Sequence, residues 1–315
     1  MNNSKPVIDK LNAINTRKRA RSISTYDFST LYTKIPHHDL IKELNKIIDL
    51  AFEGGSKKYI GFNNNYAFWC KSNKGKHTFS KSSLKLVVKH LICESYFQVG
   101  NKLLIQSIGI PMGIDPAPFW ANLYLHSHEY EFMRDQIRND KSRAHKFHGC
   151  SRFIDDLSCL NDGDEFGKSY QSIYPHELEL KCEHQGTHAT FLDLDISICD
   201  GIFVYKLFDK RDSFPFDIVR MPHLDSNTPS FIFYSTILSE FLRIARATLR
   251  YCDFFPRVVS LVNRMMDQGG NCQRIFRQFS KAISRHPEPF KHYSIGLNEI
   301  INNIKYHLNL SGSGT

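Results

Sequence analysis

Apolar and polar positions change in short blocks along the first two thirds of the chain, and in longer helical stripes beyond. Ile23 to Leu31 is an apolar run rich in β-formers with one acid, Asp27, in its middle, and it predicts a strand. Pro36 then opens a helical pattern in which Leu40, Leu44, Ile47, Ile48 and Ala51 share a face. Ile60 to Cys70 alternates around Asn63-Asn64-Asn65 and predicts a hairpin. Ser80 to Phe97 carries Leu84, Val87, Val88, Leu91 and Ile92 at helical spacing and predicts a second amphipathic helix. Gly109-Ile110-Pro111-Met112-Gly113 is too rich in glycine and proline to be regular, and Pro116 and Pro118 start a long helix to about Ile137.

Cys150 to Leu160 is patterned as strand, turn, strand, with Asp155-Asp156 in the turn. A helix over Glu165–Ile173 leads into three strand-like runs, Leu178–Glu183, Thr190–Ile198 and Ile202–Phe208. Strand, helix, strand pair, helix, strand is the split β-α-β-β-α-β order, so the expected class is α+β, an antiparallel sheet with helices on one face. From Pro229 the pattern turns helical, and Pro215, Pro222 and Pro229 punctuate the joint. The expected divisions are a basic segment over 1–22, a sheet-bearing domain over 23–212, a helical region over 213–310 and a flexible Gly/Ser tail over 311–315.

Composition narrows the partners. Apolar residues make up 41% and aromatic residues 13%, which is enough to bury a core. The formal charge of +9 favours a polyanionic partner. Between Arg243 and Lys291 ten basic residues face only Asp253, Asp267 and Glu288. Arg243, Arg246 and Arg250 are expected on one helical face, and Arg274, Arg277, Lys281 and Arg285 on another. Such faces suit the phosphates of a duplex, although a merely solvated face is their usual meaning. Arg17 to Arg21 suits a template contact or a nuclear import signal equally. No apolar run reaches the ~18 residues that span a bilayer, so no membrane partner is expected. The eight cysteines form no C-x-x-C pair and no secretory signal precedes them, which predicts reduced, mostly buried thiols of an intracellular protein. Cys182, His184 and His188 fit no standard zinc-finger spacing.

The chemistry rests on two acidic segments. In Phe153-Ile154-Asp155-Asp156-Leu157 two adjacent carboxylates lie between apolar residues, and in Thr25-Tyr26-Asp27-Phe28 a single one does. Each alone is equally well a plain turn or strand-end acid. Together, three carboxylates on neighbouring strands make a hard-oxygen site suited to Mg²⁺. Two such ions about 3.5–4 Å apart can activate a hydroxyl and stabilise a leaving pyrophosphate.

These segments resemble the polymerase motifs of reverse transcriptases, and among them those of Penelope-like retroelements. Asp27-Phe28-Ser29-Thr30-Leu31-Tyr32-Thr33-Lys34-Ile35-Pro36 is similar to motif A, Gly109 to Gly113 with Ala121-Asn122-Leu123 to motif B, and Arg152-Phe153-Ile154-Asp155-Asp156 to motif C. The resemblance implies a right-hand polymerase palm with a helical thumb. The 26 residues ahead of Asp27 are too few for a fingers subdomain, so the fingers are expected to be largely missing. It implies that Asp27 and Asp155 hold two Mg²⁺ ions, with Mn²⁺ as a substitute, and that Asp156 and the Phe28 carbonyl complete the site. Tyr32 would sit under the sugar of a dNTP and exclude a 2′-hydroxyl, or be a plain core tyrosine; Pro111, Met112 and Gly113 would approach the nascent base pair. Met112 departs from the Gln of many relatives. Lys181 would protonate pyrophosphate, or be a plain solvent-facing strand lysine. Arg243, Arg246, Arg250, Arg274, Arg277 and Lys281 would hold an RNA template with its DNA primer.

Three functions are therefore open: an RNA-directed DNA polymerase in the nucleus or cytoplasm, the nucleus being favoured; a non-catalytic nucleic-acid-binding remnant; and a metal-dependent nuclease, for which no water-activating His accompanies the motifs.

Overall fold

A computed structural model describes residues 4–53, 58–63, 66–73, 77–216, 218–219 and 221–309. They pack as two units, Met1–Ile23 with His184–Thr315, and Ser24–Glu183. The expected tail over 311–315 and the Asn64-Asn65 part of the expected hairpin turn lie outside the described residues.

The basic N-terminal segment holds a helix, α1 (Lys5–Asn15), started by Pro6 in its first turn and burying Val7 and Leu11. The signal for it is a Val7, Leu11, Ile14 stripe.

The Ser24–Glu183 unit is entered through β1 (Ile23–Phe28), whose residues are buried except at Asp27. A short α2 (Leu31–Lys34) follows, then α3 (His37–Phe52), which buries Leu40 and Leu44. Next come β2 (Tyr59–Phe62), β3 (Ala67–Cys70) and β4 (Thr78–Ser80), a three-stranded antiparallel sheet in the order β3-β2-β4. The Ser80 hydroxyl caps α4 (Lys81–Cys93) by accepting from the Ser83 amide. The helix expected to reach Phe97 stops at Cys93. Tyr96, Phe97 and Val99 are better β-formers than helix-formers. They enter a hairpin of β5 (Tyr96–Val99) and β6 (Lys102–Ile105), turned at Gly100 with φ +59°.

The long helix α5 (Ala117–Asn139) and short α6 (Lys141–Lys146) precede β7 (Ser151–Phe153) and β8 (Asp156–Leu160); α7 (Glu165–Ile173) then leads to β9 (Leu180–Gly186). The sheet order is β7-β8-β1-β9. With α5 and α7 the four strands follow the chain as strand, helix, strand pair, helix, strand. One core joins Tyr26 and Phe28 of β1, Leu40 and Leu44 of α3, Trp120 and Tyr124 of α5, Leu157 of β8 and Phe166 of α7.

The other unit carries an antiparallel sheet of β10 (His188–Phe191), β11 (Leu194–Cys199) and β12 (Ile202–Leu207). The single strand expected over 190–198 is thus two, folded back at Leu192-Asp193, with Leu192 at φ +55°. Asn15 of α1 exchanges two hydrogen bonds with the Phe203 backbone of β12, at 2.8 and 2.7 Å. Helices α8 (Ser230–Arg246), α9 (Tyr251–Asp267), α10 (Cys272–Arg285) and α11 (Leu297–His307) complete it. Phe241 is fully buried, its ring centroid 4.6 Å from that of Phe279 and 5.1 Å from that of Phe290. The change of pattern over 212–229 therefore marks the passage from sheet to helices within this unit.

No disulfide joins the cysteines among the described residues; only Cys159 is buried, Cys182 and Cys252 are exposed and the others are half-buried, so the expectation of mostly buried thiols is not met. Among the described residues no helix is long and apolar enough to cross a membrane.

Candidate active site

Asp27 is the one position of β1 not fully buried, flanked by Tyr26 and Phe28 in the core. The strand order puts β1 beside β8, and the Phe28 amide donates to the Asp155 carbonyl at 3.3 Å. β7 and β8 join through two residues, Ile154 and Asp155, because Phe153 pairs directly with Asp156. Asp156 is therefore the first residue of β8 and not part of the turn. Ile154 sits at φ +56°. A β-branched side chain in the left-handed region is strained by about 1–3 kcal/mol and persists only where its surroundings enforce it.

The enforcement comes from Arg152. Its Nη1 donates to the Ile154 carbonyl at 2.9 Å and to Asn122 Oδ1 at 2.7 Å. Nη2 donates to the Asn122 carbonyl at 3.2 Å and to Glu129 Oε2 at 3.0 Å, and Nε donates to Glu129 Oε1. Tyr174 Oη donates to the same Glu129 oxygen at 2.8 Å. The turn that carries Asp155 is thereby tied to α5.

The three carboxylates interact. Burial raises the pKa of Asp27, and the charges of Asp155 and Glu183 raise it further, against a lowering from Lys181. Burial first, then Asp155, Asp27 and Glu183, push Asp156 up to about 6. Burial, with the charge of Asp155 next, also raises Tyr32. Lys181 and Glu183 stand two apart on exposed positions of β9, hence on one side of the strand. Sequence reasoning named Lys181 and missed Glu183; the period of two was the available signal.

The Gly-Pro loop docks on the segment after Asp27. Gly109 N donates to the Ile35 carbonyl at 2.8 Å, Ile110 N to the Tyr32 carbonyl at 2.7 Å, and His37 Nε2 bonds the Gly109 carbonyl at 2.9 Å. Gly109 has φ +85°, and a Cβ there would lie 2.4 Å from the Tyr32 carbonyl oxygen, so only glycine allows this approach. Pro111 is half-buried, Met112 is 74% exposed, and Gly113 has φ +101° with open space around it.

A metal fits this place by donor chemistry. The groups are all oxygens, they are negatively charged, and their mutual repulsion and burial are what a cation would relieve. Among the described residues no three His, Cys, Asp or Glu side chains close into a metal cage by themselves. A structural zinc needs such a cage, and of Cys182, His184 and His188 the last pairs through Nε2 with Asp195 at 2.6 Å. Mg²⁺ does not need one, because it usually takes one or two carboxylates and fills its shell with water and substrate phosphate.

The basic residues of the other unit divide into two kinds. On α10, Arg274, Arg277, Lys281 and Arg285 are exposed on the side opposite buried Ile275, Phe279, Ala282 and Ile283. Arg277, Lys281 and Arg285 have no salt-bridge partner among the described residues, and Arg274 lies over the Tyr234 ring at 5.7 Å. The expected face of Arg243, Arg246 and Arg250 does not form. α8 ends at Arg246, Arg250 is the extended residue before α9, and Arg243 is half-buried in ion pairs to Asp193 and Glu240 at 3.3 and 3.4 Å. The break falls at Ala247 and Thr248, buried residues that close α8.

No known family model matches the sequence, and no curated protein does. Solved structures do resemble the fold. Telomerase from Candida albicans in complex with a fragment of telomeric RNA is 13% identical with a TM-score of 0.55, over 98% of this chain and 48% of that one. Apo telomerase from Candida tropicalis is 13% identical with a TM-score of 0.50, over 98% of this chain and 51% of that one. The chain spans about half the length of these structures, and at such identity the likeness is one of fold: mixed α/β, with antiparallel sheets and helices.

Proposed function

We propose that this chain is the catalytic core of an RNA-directed DNA polymerase, with 23–212 as palm and the helices of 213–310 as thumb, related to the reverse transcriptases of Penelope-like retroelements through its motif residues. The observation that carries the reading is the gathering of three half-buried carboxylates on β1 and the β7–β8 hairpin, where the Phe28 amide bonds the Asp155 carbonyl and where burial, with the charge of Asp155 next, raises the proton affinity of Asp27 and of Asp156. A fold shared with telomerase, one of whose structures holds RNA, supports it.

Asp27 and Asp155 would hold two Mg²⁺ ions, Asp156 and the Phe28 carbonyl completing the site. When bound, the metals supply charge neutralisation of the triphosphate and a lowered pKa for the primer 3′-hydroxyl. Asp27 and Asp155 fix where the hydroxyl and the α-phosphate meet, which turns the attack into a positioned, effectively unimolecular step. Tyr32 lies under the sugar of the incoming dNTP, and its ring leaves no room for a 2′-hydroxyl. The Gly109–Gly113 backbone, free of side chain at its docking point, lets the loop reach the nascent base pair. Lys181, within electrostatic reach of Asp27, supplies a proton to the leaving pyrophosphate. The α10 cations hold phosphates of the primer–template duplex without reading its sequence.

A second reading is a nucleic-acid-binding protein without catalysis, for which the exposed cations of α10 alone would suffice. Primer extension on an RNA template with dNTPs and Mg²⁺ or Mn²⁺ separates the readings. Extension that Asp155→Asn abolishes is the expected result. Duplex binding without extension leaves only the second reading, and shortening of the primer points to a nuclease.

A further inference from the structure

Asp155 lies in the turn between β7 and β8 and Asp156 directly follows it, and the turn is fixed by one buried side chain. Arg152 is 8% exposed and directs its donors to three places: the Ile154 carbonyl, Asn122 and Glu129. Asn122 and Glu129 are two helical turns apart on α5, hence on one stripe, and the planar guanidinium bridges them. Glu129 is held in turn by the Tyr174 hydroxyl.

The Ile154 carbonyl belongs to the peptide plane that leads into Asp155. Ile154 is at φ +56°, a conformation its own side chain opposes, so the plane's orientation depends on what grips it. That grip is Arg152 Nη1.

We propose that Arg152, with Asn122 and Glu129, is a positioning residue for the Asp155–Asp156 pair: it sets the aim of the carboxylates through the Ile154 peptide and touches no reacting atom itself. The inference rests on the polymerase reading for the purpose of the acids. Lysine cannot replace Arg152, because a single ammonium cannot serve a carboxylate fork, a side-chain amide and a carbonyl from one plane. Groups that orient metal ligands typically change metal affinity about 10–100-fold when removed.

The test uses the full chain, titrated with Mn²⁺ alone and followed by the EPR signal of free Mn²⁺, with thermal melting and dNTP kinetics alongside. Arg152→Lys and Glu129→Gln are expected to weaken Mn²⁺ binding roughly 10-fold or more. They should lower kcat while leaving the dNTP KM near that of the wild type, and raised Mn²⁺ should restore part of the rate. Folded variants that bind Mn²⁺ as tightly as the wild type overturn the proposal, even if their melting temperature falls. If Arg152→Lys does not fold, Glu129→Gln and the milder Tyr174→Phe decide by the same criterion. A wild type that binds no Mn²⁺, or binds it equally after Asp155→Asn, overturns the polymerase reading and this proposal with it.

Discussion

The acids of β1 and the β7–β8 hairpin and the cations of the α10 face are two concentrations of like charge, and they are built in opposite ways. Asp27, Asp155 and Asp156 are half-buried, electrostatically coupled, and carried on backbone that Arg152 and strand pairing fix. Arg274, Arg277, Lys281 and Arg285 stand in solvent on one helical side opposite the apolar face, and of the four only Arg274 meets a ring, that of Tyr234, among the described residues. Chemistry on a reacting centre demands placement, whereas attraction to a phosphate backbone demands only charge of the right sign. A substitution should therefore cost most where geometry is fixed, and should act by charge alone where it is not.

The largest effect is expected from Asp27→Asn, which keeps the shape of the strand and removes one carboxylate charge. Extension should fall by about 10²–10³-fold or more while duplex binding stays near the wild-type value. Equal losses of both would erase the contrast between the regions. On α10, the triple change Arg274→Ala, Arg277→Ala, Lys281→Ala should weaken binding to all sequences alike and lower the slope of log K against log salt by about one for each phosphate no longer neutralised. Weakening restricted to particular sequences, or an unchanged slope, would mean that α10 does not meet phosphates.

Smaller effects test the scaffold. Gly109→Ala places a Cβ against the Tyr32 carbonyl at φ +85° and should destabilise by about 1–3 kcal/mol in denaturant unfolding. Gly113→Ala, in open space at φ +101°, meets only the conformational cost and should be the milder of the two. The smallest effect is on pH. Folding raises the Asp156 pKa to about 6 from an ordinary value near 4, so its stabilising contribution is complete below pH ~4 and lost as the pH rises through 6. The metal-free melting temperature should fall over that window, and Asp156→Asn should flatten the fall. Added Mn²⁺ should reverse it above pH 6, since a cation takes the proton's place.

How much of this was legible in the sequence follows the same division. Strands and helices marked by periodicity and proline were readable, as β1, α3, α5 and the β7–β8 pair show. The β5–β6 hairpin was not, because Tyr96 and Phe97 continue a helical apolar stripe as well as they open a strand. Leu192 hides a turn, since nothing about a leucine announces φ +55°. At the candidate site the acids were visible as charges set among apolar residues. Glu183 and the Asn122–Glu129–Arg152 network were not, because their partners are distant in sequence and meet only through sheet order and helix packing. The supposed Arg243–Arg246–Arg250 face shows the opposite error, for helical spacing was counted across a helix end.

The central claim is that Asp27, Asp155 in the β7–β8 turn and Asp156 at the start of β8 converge on a common cation. A crystal of the full chain soaked in Mn²⁺ and measured at the manganese absorption edge tests it directly. The account predicts anomalous density within coordination distance of both Asp27 and Asp155 carboxylates. Manganese bound elsewhere only, or carboxylates of these two residues too far apart to share an ion, would contradict it.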